Sequence, residues 1–600
     1  MQDSQSTGPA NFHATVAAAN GCDRLPSAFR RSCVGVALVI LAVAAIQRFD
    51  LSLRYFLTWQ YYQVQDLPVM LPLAAVLGII AWLGLPALAG RASERLFVST
   101  PVVYAAIIIA AATTVVIGTH IVAFDFAFSR DEIMALFDAS LVANGQLLGP
   151  VAPEWRPFVP SLQPVFRLPV PDHAGWASTY LPGNAIIRGV LGLVLDRAFV
   201  NATLLVVALV ALIAIARRLF PDRPDAWLIA LVLAATSSQT LFMSMTPYAM
   251  SAHLALNLVW LWLFLRNTVA SHAGAIAVGF LATGLHQLVF HPLFVAPFLL
   301  QVLLDRRWTL AAVYAVAYAA IGLFWILYWQ LLLSGTGTAA PEAASAMGVS
   351  YFLSRVSGLF ANFYPSAYET MVQNLFRFAA WQNPLMLVLI GPGMVMAWRA
   401  GGIQRSLAAS IVVTLLAMLL LLPYQDYGWG YRYAHGLMGS AALVATLGWV
   451  GMTANLKAGQ RRAAYGLAGV ATAAAVLVLV PLHGLMMRGM YEPYVRADAA
   501  IRAKPAGAVV IETIAIHYGD DLVRNDHALT NRPLVFDIGE LSDDLARELC
   551  RRMDVAMFTG AEATRLGVPS ADPKAHADNV RIAKLRAFIE SAECKGLKRS

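Results

Sequence analysis

The sequence predicts an α-helical polytopic membrane protein of about 13 transmembrane helices, with long external loops and a small C-terminal α/β extracytoplasmic domain. Composition is the first indication, because 59% of the 600 residues are hydrophobic and only 13% are charged. The mean hydropathy is +0.63. A soluble core could not bury this much apolar surface. The other indications are a succession of apolar segments and the basic residues at alternate connections between them.

Thirteen apolar segments are candidate spans, although several fall short of the roughly 20 residues needed to cross about 30 Å of hydrocarbon. They are 32–47, 67–90, 100–123, 199–216, 226–243, 247–265, 273–287, 290–304, 309–333, 384–398, 406–422, 433–452 and 463–486. If the N-terminus lies inside, every inner connection carries Arg or Lys, and the tight outer turns carry none. The positive-inside rule then predicts a cytoplasmic N-terminus and an external C-terminal region. The net charge of +8 is therefore largely a topology signal, and we expect no nucleic acid partner.

The chain is predicted to have three parts. These are a cytoplasmic tail at 1–31, a transmembrane domain at 32–486 that includes external loops 125–198 and 334–383, and an extracytoplasmic α/β domain at 487–600. In the last part, short β-rich runs alternate with helical patterns, which is typical of a small α/β domain. The predicted strands are AVVIET (508–513), PLVFDI (533–538) and VAMFTG (555–560), and the predicted helices are 541–552 and 575–591. Without a glycine-rich phosphate loop, this domain is assigned no chemistry.

The four cysteines divide between compartments. Cys22 and Cys33 fall in the inner tail and the first span, whereas Cys550 and Cys594 fall in the external domain, where oxidation can occur. We therefore predict a disulfide between Cys550 and Cys594. No Cys or Cys/His spacing indicates a zinc site. No metal ligand is assigned, and a divalent cation is left open as a cofactor.

The loop DFAFSRDEIMALFDASLVANG (125–145) supports two interpretations. Ser129 and Glu132 have the spacing of a capping box, the following apolar residues recur at helical spacing, and Gly145 is placed to end the helix. Asp131 is not used by the box, and an acid at the outer mouth of a helical bundle can act as a general base. Arg130 beside it suits a phosphate through its planar fork of donors, or is simply an interfacial residue that snorkels.

The outer turn PYQDYGWGYRYAHG (423–436) supplies a second group of candidates, Tyr431, Arg432 and His435. A charged side chain at membrane depth is costly, which makes Arg432 a candidate for substrate binding. An aromatic belt with a snorkelling arginine is the alternative. His286 and His291 lie near the short hairpin on the same side and can contact phosphate or sugar, or can be packing residues; two histidines alone make a poor metal site.

The pair Asp131 and Glu132, followed by an amphipathic helix and Gly145, resembles the membrane-embedded glycosyltransferases of the C superfamily. Protein O-mannosyltransferases and bacterial aminoarabinose or galacturonate transferases are the most similar groups. The element Tyr180-Leu181-Pro182-Gly183 also resembles the aromatic and proline element that starts the second loop helix in these enzymes. The resemblance implies that Asp131 is the general base, with Glu132 beside it, and that Tyr180 binds substrate.

The same resemblance implies an inverting transfer of a sugar from a polyprenyl-phosphate donor to an acceptor glycan, lipid or protein on the outer side. It also implies a multi-pass protein of the bacterial cytoplasmic (inner) membrane, with the C-terminal domain in the periplasm and membrane lipid as a partner. Two other functions stay open. One is a transporter or flippase of amphiphilic glycolipids, although we see no internal repeat of the kind such proteins carry. The other is a non-catalytic envelope assembly protein.

Overall fold

The structure is a computed structural model that describes residues 22–48, 57–96, 100–163, 165–168, 170–334, 357, 365–571 and 579–597. Three predictions fall partly or largely outside these residues. They are the tail up to residue 21, most of the external loop 334–383, and the start of the helix at 575–591.

Apolar helices form most of the described chain. Eight of them are long and apolar enough to cross a membrane: Ser27–Arg48, Leu57–Leu83, Pro101–Ile121, Arg197–Leu219, Trp308–Ser334, Gly402–Leu421, Arg432–Thr453 and Ala458–Arg502. Two further pairs qualify only together and are bent, Pro224–Ala235 with Ser238–Ser244 by 54° and Ala367–Ala380 with Pro384–Ala400 by 118°. Three shorter apolar helices are Met250–Arg266, Val269–Thr283 and Phe290–Leu304. The chain is therefore a multi-pass membrane protein.

Each predicted apolar segment coincides with one of these helices or bent pairs, but the number of crossings stays a prediction. Within the described residues, eight helices, or up to ten if each bent pair is one span, meet the length and composition of a span. The predicted segment 67–90 is too long. Its helix ends at Leu83 because Gly84 adopts φ 83°, and a separate helix, Ala87–Leu96, follows.

Residues 125–198, which were predicted to be external and are called the first external segment, carry two helices that pack on each other. These are Arg130–Ala143 and Gly183–Gly192, here called the first and second loop helices. Between them, Gly149–Pro150 pairs antiparallel with Gly175–Trp176. The end of the bundle that carries these helices is called the outer end below. It is the end from which the C-terminal domain projects.

The C-terminal domain is built on three parallel strands, with Ala508–Ile511 between Leu534–Asp537 and Val555–Phe558. Its helices are Asp543–Arg552, Gly560–Arg565, Asn579–Glu590 and Ala592–Leu597. The three predicted strands and the predicted helix 541–552 are confirmed, apart from shorter ends, and the predicted helix 575–591 is confirmed over its described residues. The first of these helices starts late because Ser542 caps it, accepting a hydrogen bond from the Leu545 amide. The predicted disulfide between Cys550 and Cys594 is also confirmed.

The C-terminal domain and the first external segment share one hydrophobic core. Phe158 and Trp176 of the external segment cluster with Phe536 of the central sheet. Hydrogen bonds reinforce this core, because the Ser161 hydroxyl donates to the Asp537 carbonyl at 2.7 Å and the Trp176 indole donates to the His527 carbonyl at 2.9 Å. Helix Ala458–Arg502 runs without interruption from the bundle to this unit. The first external segment and the C-terminal domain therefore pack together at the outer end of the bundle.

Two membrane helices, Pro384–Ala400 and Met438–Thr453, approach each other closely through glycines. A Cβ atom on Gly393 would overlap the Val444 carbonyl, and one on Gly448 would overlap the Leu389 carbonyl. In a membrane, where burial of apolar surface gives helices little reason to associate, small residues allow the backbone contact that holds them.

We expect Gly393→Val to destabilise the protein by about 1–3 kcal/mol, because its side chain would force these two backbones apart. The apparent unfolding temperature in detergent, followed by the loss of monodisperse protein after heating, measures the effect. Gly391→Val is the matched control, since Gly391 lies on the same helix with open space at its Cβ position. Equal unfolding temperatures for the two variants would contradict the proposed role of the glycine contact.

Candidate functional site

A cavity of about 440 Å³ opens at the outer end of the bundle, within the size range of small-molecule sites. Its wall is formed by the first external segment, the hairpin turn at 284–289, the turn at 423–436 and the C-terminal domain. The lining residues are Ser129, Arg130, Asp131, Phe166, Arg167, Thr179, Tyr180, His286, Gln287, Leu288, Trp329, Asp426, Tyr427, Arg432, Tyr433 and Tyr518. Five of the residues selected from the sequence are therefore together, namely Arg130, Asp131, Tyr180, His286 and Arg432.

Asp131 is the centre of the polar part of this cavity. Arg432 donates from Nη1 to its Oδ2 at 2.5 Å, and the Tyr180 hydroxyl donates to its Oδ1. Burial raises the pKa of Asp131, but the positive charge of Arg432 and the hydrogen bonds from Tyr180 and Arg432 outweigh it. The pKa of Asp131 therefore lies below its ordinary value, and the carboxylate is ionised at neutral pH.

The start of the first loop helix differs from the predicted capping box. Ser129 is the N-cap residue and Gly145 follows the helix with φ 74°, so the predicted helix ends are confirmed. The reciprocal bonds of the box are absent. The Ser129 hydroxyl lies 2.6 Å from the hydroxyl of Tyr248, and Glu132 accepts a hydrogen bond from the Phe128 amide at 3.2 Å. The distant Tyr248 and the adjacent Phe128 amide have therefore taken the groups that the box would use.

Glu132 is 1% exposed and points away from the cavity. The Tyr491 hydroxyl of helix Ala458–Arg502 donates to its carboxyl group at 3.2 Å. Burial raises the pKa of Glu132 to about 8, against the hydrogen bonds from Phe128 and Tyr491, which lower it. At pH 7 the two adjacent acids consequently differ, since Asp131 is ionised and Glu132 is protonated. In many active sites two carboxyl groups have different roles because their environments shift their pKa values in opposite directions.

The turn that presents Arg432 is fixed by buried polar side chains, one from the turn itself and one from a distant helix. Gln425 accepts a hydrogen bond from the Arg432 amide and donates to the Gly430 carbonyl, each at 2.8 Å. Arg377 donates to the Gly430 carbonyl at 3.1 Å and forms an ion pair with Asp66 at 3.3 Å, with both charged side chains 1% exposed. These contacts hold the turn rigidly, which in turn fixes the position of the Arg432 guanidinium.

The second loop helix places Tyr180 at the cavity. Its first residue, Gly183, donates from its amide to the Gly284 carbonyl at 2.7 Å, and a Cβ atom on Gly183 would overlap that carbonyl. This close contact with the hairpin turn brings the Tyr180 ring onto the His286 ring, with 4.5 Å between their centroids. Burial lowers the pKa of His286 to about 4, partly offset by the negative charge of Asp131. His286 is therefore neutral at pH 7.

Three other residues selected from the sequence do not line the cavity. His291 is fully buried, with one ring nitrogen 2.8 Å from Asn257 and the other 2.9 Å from Tyr318. Tyr431 and His435 are also fully buried, one residue and three residues from Arg432 respectively. Along a tightly turned segment, side chains this close in sequence point to different sides, so of residues 431–435 only Arg432 and Tyr433 line the cavity.

Several lining residues were not selected from the sequence, among them Arg167, Asp426, Tyr433 and Tyr518. Arg167 donates from Nε to the Gln163 carbonyl at 2.8 Å and brings a cation to the wall. These residues come from irregular segments or from the remote C-terminal domain, where no spacing pattern marks them. Within the described ranges, no group of three or more His, Cys, Asp or Glu residues is arranged to hold a metal ion.

The buried Glu132 gives a pH-dependent prediction. Its folded-state pKa of about 8 exceeds the ordinary value of 4.5, so the folded protein holds a proton that the unfolded chain releases. Its contribution to stability is complete below pH 4.5 and is lost as the pH rises towards 8. Raising the pH from 6 to 9 should cost the wild type about 3 kcal/mol more than Glu132→Gln, which keeps a neutral side chain. Thermal unfolding in detergent at both pH values measures this, and an equal loss for both proteins would refute it.

The comparisons with known proteins find a likeness in structure and none in sequence families. No family model matches the sequence, and no curated protein matches it. Among solved structures, ArnT from Cupriavidus metallidurans in the apo state is similar, with 13% sequence identity, a TM-score of 0.44, and coverage of 74% of this chain and 90% of that chain.

Proposed function

We propose that this protein transfers a sugar from a polyprenyl-phosphate donor to an acceptor at the outer end of the bundle, with Asp131 as general base. The observation that carries the proposal is an ionised, buried carboxylate on the wall of a cavity that also holds several arginines, at the end of a lipid-embedded bundle. A carboxylate can receive the proton of an acceptor, and arginines can hold the phosphate of a lipid-linked donor.

The geometry around Asp131 leaves it capable of accepting a proton. A carboxylate offers about four lone-pair positions, and Arg432 and Tyr180 use one on each oxygen. The lowered pKa keeps the base ionised but makes it weak. In our proposal the donor phosphate competes with Asp131 for Arg432. As the carboxylate loses its partner, its pKa rises towards the working pH, where a general base is most effective.

The proposed step balances as a single displacement. The acceptor oxygen attacks the anomeric carbon from the side opposite the phosphate, and its proton passes to the Asp131 carboxylate. The bond between the anomeric carbon and the phosphate oxygen breaks, and its electron pair stays on the phosphate. The products are an acceptor glycoside of inverted configuration and the polyprenyl phosphate. Arg130 and Arg167 are placed to stabilise the charge on the departing phosphate, which is often the larger catalytic contribution.

Glu132 has a different part in this proposal. As a protonated, buried acid held by Phe128 and Tyr491, it fixes the start of the first loop helix and thereby the position of Asp131.

The proposed setting is the periplasmic side of a bacterial inner membrane. The support for this side is the positive-inside rule, because the connections at the other end of the bundle carry the Arg and Lys residues.

We expect Asp131→Asn to lower the rate of sugar transfer by about 10²–10⁴-fold, because it removes the base and keeps the shape of the side chain. The measurement uses purified protein in lipid nanodiscs with radiolabelled polyprenyl-phosphate sugars, alongside mass spectrometry of envelope glycolipids from cells with each variant. The matched control is Glu132→Gln, the adjacent acid that is already neutral at pH 7. It should retain the rate to within about threefold of the wild type.

Three outcomes are informative. A folded Asp131→Asn variant that still binds polyprenyl phosphate but does not transfer sugar supports the proposal. Transfer by that variant at the wild-type rate would refute the role of Asp131. Wild-type protein that moves glycolipids across the membrane without changing them would instead identify a flippase.

A further inference from the structure

The C-terminal domain reaches the cavity through a short segment at 513–524. Tyr518 lines the cavity, and the carboxylate of Asp521 lies 3.3 Å from Nε of Arg130. Arg130 belongs to the first loop helix, nearly 400 positions earlier in the chain, and directly precedes Asp131. A domain to which the sequence assigned no chemistry is therefore in contact with the cation beside the candidate base.

We propose that Asp521 is a positioning residue that holds Arg130 towards the anionic group of the substrate, so that the C-terminal domain completes the site. The inference rests on the proposed function, because the anionic group is taken to be the phosphate of the lipid-linked donor. Asp521 acts through Arg130 and does not itself touch the substrate, since it does not line the cavity.

The buried carboxylate of Asp521 is stabilised by nearby cations and not by hydrogen bonds from the described residues. Its side chain is 1% exposed, and neither carboxylate oxygen has a hydrogen-bond partner among the described residues. A buried carboxylate without compensation costs several kcal/mol. The charged groups that face it are the cations Arg130 and Arg524 and the acids Asp520 and Asp131. Of these, Arg130 is the one at ion-pair distance within the described chain.

Arg130 is held in an orientation that leaves its terminal nitrogens available. Its Nε faces Asp521, and its guanidinium carbon lies 5.5 Å from the Tyr518 ring centroid and 6.0 Å from that of Phe166. Hydrogen bonds from its Nη nitrogens to other described residues are absent. The fork that suits a phosphate is therefore unused. Without Asp521, the acids that still act on Arg130 are Asp520 and Asp426, and no carboxylate among the described residues would hold its Nε side at ion-pair distance.

The segment that carries Asp521 contains an unusual backbone conformation at Tyr518. Tyr518 has φ 52° and ψ 41°, a left-handed conformation that is unfavourable for a bulky residue. The residue is held there by ring contact with Tyr427, at 4.5 Å between centroids, and by the Tyr494 hydroxyl, which donates to the carbonyl of the preceding His517 at 2.8 Å. Strain that is maintained by its surroundings at the edge of a cavity is typical of functional segments.

A double-mutant cycle tests the inference. Binding of a polyprenyl phosphate is measured in lipid nanodiscs for the wild type, Asp521→Asn, Arg130→Gln and the double variant. Asp521→Asn should weaken binding about tenfold, and the double variant should bind no more weakly than Arg130→Gln alone, because residues that act as one unit are not additive. The matched control is Glu512→Gln, an acid of the same domain that pairs with Arg586 at 3.3 Å outside the cavity. It should bind as the wild type does.

The pH dependence provides a readout that loss of folding would not produce. Burial raises the pKa of Asp521 to about 7, against the cations Arg130 and Arg524 that lower it. Ionisation of Asp521 strengthens its hold on Arg130, so binding by the wild type should improve between pH 6 and pH 8 more than binding by Asp521→Asn. Taking the difference between the two proteins removes the titration of the phosphate itself.

The outcomes separate this inference from the proposed function. Asp521→Asn binding as tightly as the wild type, or losses that add in the double variant, would overturn the positioning role and leave the proposed function intact. Wild-type protein that binds no polyprenyl phosphate would overturn both. If Asp521→Asn does not fold, Asp521→Glu decides, because it retains the charge. Binding within about threefold of the wild type supports the role, and loss of binding in a folded Glu variant contradicts it.

Discussion

The ion pair between Asp131 and Arg432 is the interaction on which the outer end of the molecule depends. It joins the first loop helix to the turn before helix Met438–Thr453, across 301 positions of sequence, and both side chains are largely buried. Breaking such a pair leaves an uncompensated buried charge, which typically costs about 3–5 kcal/mol. Gln425 and Arg377 hold the turn on one side, and Tyr180 holds the carboxylate on the other. The site is therefore organised around one charge pair before any substrate is present.

Burial acts on both adjacent acids of the first loop helix, and what differs is the charge nearby. Asp131 has a cation at hydrogen-bonding distance and stays ionised, whereas Glu132 has only neutral donors at that distance and becomes protonated at pH 7. One acid is consequently suited to chemistry and the other to holding the helix in place. Both residues carry a carboxyl group, so the sequence does not show that their protonation differs. The sign and size of each pKa shift depend on neighbours that are distant in the sequence.

The external parts of the chain form one unit with the cavity. The first external segment and the C-terminal domain share a hydrophobic core, and the same domain brings Tyr518 to the cavity wall and Asp521 to Arg130. The uninterrupted helix Ala458–Arg502 connects this unit to the bundle, and its Tyr491 and Tyr494 contact the loop helix and the domain. The domain is therefore joined to the site by packed contacts.

The sequence by itself determined the apolar helices, the three strands and the Cys550–Cys594 pair. It also marked Asp131 and Arg432 as candidate site residues. These features follow from hydropathy, periodicity and local charge, which are properties of neighbouring residues. Only the tertiary structure decided that these two residues are partners, that Ser129 and Glu132 do not form a capping box, that His291 and His435 lie away from the cavity, and that Asp521 reaches Arg130. The physical reason is that such contacts join segments hundreds of residues apart. Their geometry is set by how the helices and the domain pack, which no local pattern contains.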